Sequence, residues 1–186
     1  MRFLVRLVPG DADGPAFLAA VRSIATYLGA KAVNPKWTSY GALEMDIFAP
    51  TPQDFQLVLA ALEPLGETEF AKDLQESKSF KTKEKAMEEA VALFNGERFW
   101  EAHEVLEALW RVAEGNEKKL LQGLILVCAA FVHHQKDEER VALGVARRAI
   151  PLLVWGGSSY GSIDVIALID RLNRLEAEGK LTIFEL

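Results

Sequence analysis

All three histidines of this 186-residue chain, His103, His133 and His134, fall in its second half. His103 stands four residues before Glu107, a spacing that turns both side chains to one side of a helix, as two ligands on one helix must be. Glu104 lies beside them. Two imidazoles and a carboxylate (His103, Glu107, His133) make a first shell for zinc, iron or manganese that leaves a position open for water. A metal there lowers the pKa of its water, and Glu104 is placed to act as general base toward it.

The elements that must position these groups are two helices. Residues 97–114 predict a helix with an apolar stripe of Phe99, Ala102, Leu106, Leu109, Trp110 and Ala113. His103 falls within that stripe and Glu107 on its margin. Residues 117–135 are apolar on nearly every side and predict the central helix, where Gln122 and His133, eleven residues apart, share one narrow stripe. The Gly115–Asn116 turn makes the two helices an antiparallel hairpin. The expected result is a buried polar string of Gln122, Glu107, His103 and His133. The same string reads equally as a self-satisfied seam that fixes helix register, with Glu107–Arg111 an ordinary i, i+4 pair. Trp100 and Trp110 flank the seam as core or as the cover of a pocket, and His134 points elsewhere. The HExxH helix of metalloproteases lacks its second histidine here: the chain reads His103-Glu104-Val105-Leu106-Glu107.

Around this hairpin the second half predicts five helices, at about 82–95, 97–114, 117–135, 137–154 and 162–179, with Ser162 as the last N-cap and Gly179 past its end. Pro151 ends the fourth helix or kinks its last turn. The loop Gly156-Gly157-Ser158-Ser159-Tyr160-Gly161-Ser162 has GxxxxG spacing but no following lysine, so it reads as a connection and not a phosphate loop. The first half predicts β (2–8), α capped by Asp13, β (30–37), β (41–49), α from Thr51–Pro52, and a weaker β (67–73). That order resembles a ferredoxin-like domain. On its third strand Leu43, Met45 and Ile47 should face the helices. Glu44 and Asp46 should face a solvated sheet surface and pair there with Arg2 and Arg6. The chain is thus read as α+β: a ferredoxin-like βαββαβ domain over 1–75, a linker over 76–81 and an all-α bundle of about five helices over 82–186.

Composition narrows the function. Net charge is −6, against a general nucleic-acid binder. Glu44 and Asp46 replace the basic and aromatic groups an RNA-binding sheet would present. One cysteine, Cys128, excludes an intrachain disulfide framework, and the N-terminus shows no signal peptide, so a cytoplasmic location is expected. The near-apolar run Leu120 to Val132 is too short to span a bilayer. A small molecule is the expected partner, with self-association left open and neither nucleic acid nor membrane expected.

The run Phe94-Asn95-Gly96-Glu97-Arg98-Phe99-Trp100-Glu101-Ala102-His103-Glu104-Val105-Leu106-Glu107-Ala108-Leu109-Trp110 resembles the signature of the domain-of-unknown-function 309 family. Leu121-Gln122-Gly123-Leu124-Ile125, followed by small residues and His133, resembles its second block. The resemblance implies a compact helical domain and, since members are catalogued as predicted metal-dependent hydrolases, a polar site carried by His103, Glu104, Glu107, Trp110, Gln122 and His133. Leu126, where relatives often have glutamine, and Lys136-Asp137-Glu138, in place of a Gly-Asn turn, depart from it. Two functions follow. One is a hydrolase in which a divalent metal on His103, Glu107 and His133 activates water, with Glu104 as base and Trp110 and Gln122 binding. The other is a metal-free, non-catalytic module that binds a small molecule or a protein and uses the seam structurally.

Overall fold

The computed structural model describes residues 1–10, 14–74 and 82–186. The Asp13 cap and the 76–81 linker lie outside the described residues. The chain divides into two compact units, Met1–Lys78 and Ser79–Leu186. No helix among the described residues is long and apolar enough to cross a membrane.

The first unit runs β1 (Arg2–Pro9), α1 (Gly14–Tyr27), β2 (Lys31–Trp37), β3 (Leu43–Phe48), α2 (Pro52–Leu62) and β4 (Gly66–Asp73). Its sheet is antiparallel in the order β2-β3-β1-β4. Alternation along β1 and β3 sends Phe3, Val5, Leu7, Leu43, Met45 and Ile47 to one side, where Phe17 and Val21 of α1 and Phe55 and Val58 of α2 complete a core. Phe3 stacks on Phe55 at 3.8 Å. Thr51 and Asp54 form the reciprocal capping box that starts α2. Pro35, which has no N–H to give a ladder, sits in the edge strand β2 beside Asn34 at φ 54°, where the β2–β3 register shifts.

The other side of the sheet corrects one expectation. The pairings are as predicted: Arg6 stands opposite Glu44 in register and donates to it at 2.9 Å, and Arg2 reaches Asp46 at 3.0 Å. The centre of the layer is not solvated. Arg6 is 2% exposed and Glu44 1%. The Arg6 and Glu44 side chains lie across the strands, not out into water. Arg6 also donates to the Tyr40 hydroxyl at 2.9 Å and to Glu69 at 3.4 Å, with its guanidinium over the Phe70 ring. Lys36 closes on Glu44 at 2.6 Å, and Asn34 donates to Asp46 at 2.7 Å.

The second unit contains α3 (Lys83–Asn95), α4 (Phe99–Val112), α5 (Gly115–His134), α6 (Glu139–Leu153), a two-strand ribbon β5 (Ser159–Tyr160) and β6 (Ile163–Asp164), and α7 (Val165–Glu178). As its composition predicts, α5 is the central helix, with ten buried residues from Leu120 to Val132. Phe94, Phe99, Phe131 and Phe184 meet edge to face or tilted at its end. Gly123 lets α6 approach, since a Cβ there would lie 3.1 Å from the Leu153 backbone nitrogen. Pro151 sits inside the last turn of α6. Asp164, not Ser162, caps α7 by accepting from the Ala167 N–H at 2.9 Å, because the β5–β6 ribbon delays the helix start. The glycine-rich loop is anchored to α5. The Tyr160 hydroxyl donates to Glu117 at 2.5 Å, Lys83 pairs with the same carboxylate, and Lys119 lies over the Trp155 ring. Burial and the Glu117 carboxylate push the Tyr160 phenol up to about 12.

Candidate functional site

The core-facing side of α4 is Phe99, Ala102, Val105 and Leu106. His103 lies beside that side, partly buried. Its ring stacks on the Trp100 indole with centroids 5.2 Å apart and planes 6° from parallel. Its Nδ1 is buried and has no hydrogen-bond partner among the described residues. Burial moves the imidazole below its ordinary pKa, against the opposite pull of Glu107 and Glu104. The result is a neutral ring at neutral pH.

The neighbouring carboxylates are engaged on the surface. Glu104 is exposed and accepts from the Trp100 Nε1–H at 3.1 Å. Glu107, whose side chain is 42% exposed, sits 3.5 Å from Arg111 in the expected i, i+4 pair. Trp110 is partly buried, with the Lys118 ammonium 4.6 Å from its ring centre. Gln122 is also partly buried.

His133 occupies the last turn of α5 and turns toward the following loop, where its Nδ1 lies 2.5 Å from the Glu138 carboxylate. That contact holds the Glu138 carboxyl below the usual range. His134 repeats the arrangement one residue on, with Nδ1 2.7 Å from Glu139, which also accepts from the Leu181 N–H. The expected buried string is therefore not what forms. Gln122, Glu107, His103 and His133 are all partly exposed, and the carboxylates nearest the histidines in the chain take local partners. Among the described residues no group of three or more histidine, cysteine, aspartate or glutamate side chains is arranged to hold a metal ion.

The buried polar groups of this unit are others. Glu97, Glu101 and Gln135 are 5%, 3% and 5% exposed. Arg98 pairs with Glu101 at 2.6 Å, and Gln135 donates from Nε2 to the Glu97 carbonyl at 2.9 Å, tying the end of α5 to the turn before α4. Glu97 has φ 55°. The i, i+3 spacing of Arg98 and Glu101 and the Asn95–Gly96 turn signal were in the sequence. The burial of Glu97 was not, since it comes from the end of α5, 38 residues away.

A family model described as Domain of unknown function (DUF309) matches residues 87–145, from within α3 to within α6. The chain is similar to that family over this segment, which carries every candidate residue named above. No curated protein and no solved structure matches the chain.

Proposed function

We propose that the helical unit is a non-catalytic interaction module whose recognition surface is the Trp100, His103 and Glu104 patch of α4. The observation that carries this reading is the stack itself. Trp100 is 38% exposed, yet its indole is fixed on one face by His103 and at its nitrogen by Glu104. A surface aromatic held in one orientation loses little further freedom on binding, which is why such residues anchor protein interfaces. Supporting it, the other polar groups of the α4–α5 hairpin are occupied as a brace would occupy them: Glu107 by Arg111 and His133 by Glu138.

The test is comparative affinity capture with the full chain. Trp100→Ala should lose a binding partner that wild type and Glu107→Gln both retain, with all three chains equally stable. Capture of the same set by Trp100→Ala overturns the reading.

One observation favours metal-dependent hydrolysis as the second reading. A carboxylate on Nδ1, as Glu138 is on His133, is the arrangement that presents Nε2 to a metal, and the Nδ1 of His103 lacks a partner among the described residues. The donor set does not fit a metal as it stands, because Glu107 and His133 are each taken by a separate local partner. We read the first unit as a ferredoxin-like assembly or small-molecule-sensing element, not an RNA binder, a reading that its β2-β3-β1-β4 strand order supports. Arg2, Arg6 and Lys36 are each paired with carboxylates of their own sheet.

A further inference from the structure

Helix α7 and the last residues of the chain border a cleft of about 410 Å³ in the helical unit. That volume lies in the range that takes a small organic molecule. Its apolar wall is formed by Ile163, Leu168, Phe184 and Leu186. Phe184 is fixed there by ring contacts with Phe94 and Phe131.

The polar edge of the cleft carries two guanidiniums, Arg171 and Arg174, three residues apart and so on one side of α7. Arg171 lies over the Phe184 ring, 5.4 Å from its centre. Arg174 donates from Nε only to the Asp170 carbonyl one turn back, at 3.4 Å. Neither pairs with a side-chain carboxylate among the described residues, although two such carboxylates line the same cleft. Asp164 is committed to the N-terminus of α7, and Glu185 is exposed. A guanidinium presents a planar fork of donors that matches an acid group, and two of them beside an aromatic and aliphatic wall match an acid with an apolar body.

We infer that this cleft binds a small amphiphilic organic anion, its acid group between Arg171 and Arg174 and its body against Phe184 and Leu168. The inference is independent of the α4 patch, which shares no residue with the cleft.

The test is a fluorescence titration of the full chain with anilinonaphthalene sulfonate, an anionic amphiphile, beside uncharged phenylnaphthylamine. Wild type should bind the sulfonate saturably, one per chain. The Arg171→Gln/Arg174→Gln chain should bind it at least about tenfold more weakly, the size expected for losing charge-assisted hydrogen bonds, while the uncharged dye binds both chains alike. Arg174→Gln alone, altered only at an exposed side chain, keeps the fold and should show part of the loss. No saturable binding by wild type, unchanged sulfonate binding by the variants, or an equal loss of both dyes would each overturn the inference.

Discussion

The Trp100 indole and the His103 imidazole lie face to face, three residues apart on α4, with planes 6° from parallel. The stack covers one face of the His103 ring, and its buried Nδ1 has no hydrogen-bond partner among the described residues.

That placement sets a pH dependence. Burial holds the folded-state pKa of His103 below its ordinary value, so the unfolded chain binds this proton more readily. Stability from this residue is complete above the unfolded value of about 6.5 and is lost as pH falls below it toward the lowered folded value. Urea melts of wild type and His103→Phe at about pH 7.5 and about pH 5.5, on either side of that value, should show a smaller acid loss in the variant. Equal losses would contradict the assignment.

The Arg6–Glu44 pair predicts strong coupling in the first unit. Removing Glu44 takes from Arg6 and Lys36 the carboxylate they share while Glu69 still faces Arg6, so Glu44→Leu should cost about 3 kcal/mol, the lower end of the penalty for breaking a buried pair. Arg6→Met/Glu44→Leu should be less damaging than the sum of the two single changes. Additive costs in denaturant unfolding would mean that the charges do not depend on each other.

Gly66 begins β4 where a Cβ would come within 2.2 Å of the Val8 carbonyl oxygen. That neighbour is backbone and is held in the β1–β4 ladder. Gly66→Ala should cost about 3 kcal/mol, at the upper end of overpacking penalties, and should weaken amide protection along β4 in hydrogen exchange. A variant as stable as wild type would contradict the close approach.

The alternation of β1 and β3, the helix start at Thr51–Pro52, and the apolar circumference of α5 were legible because each is local. Period, cap and composition are written in adjacent residues. The α4–α5 polar string was not legible in the same way. Helix spacing placed His103 and Glu107 on one side of α4, and it placed His133 on the seam. Spacing offered Arg111 as a partner of Glu107 but did not decide between that pair and the string, and it did not show that Trp100 and Glu138 engage Glu104 and His133. Likewise, the pairing of Arg6 with Glu44 follows from cross-strand alternation. Its burial depends on Tyr40, Glu69 and Phe70 closing over it, and Glu69 and Phe70 come from β4, more than sixty residues from Arg6.

Cys128 is 1% exposed in the core of α5, and burial pushes its thiol up to about 12. A thiol so buried and so rarely ionised should resist iodoacetamide in the native chain and react fully once unfolded. Mass spectrometry of the intact protein measures this directly, and rapid native labelling would contradict the packing around α5.

Metal stoichiometry is the most direct measurement of the central claim, that the α4–α5 polar residues form a brace and a recognition patch. Untagged protein should carry no stoichiometric zinc, iron or manganese, and calorimetric titration with each should give no site that depends on His103 or His133. One tightly held ion per chain, lost in both His103→Ala and His133→Ala, would contradict the account and establish the hairpin as a metal centre.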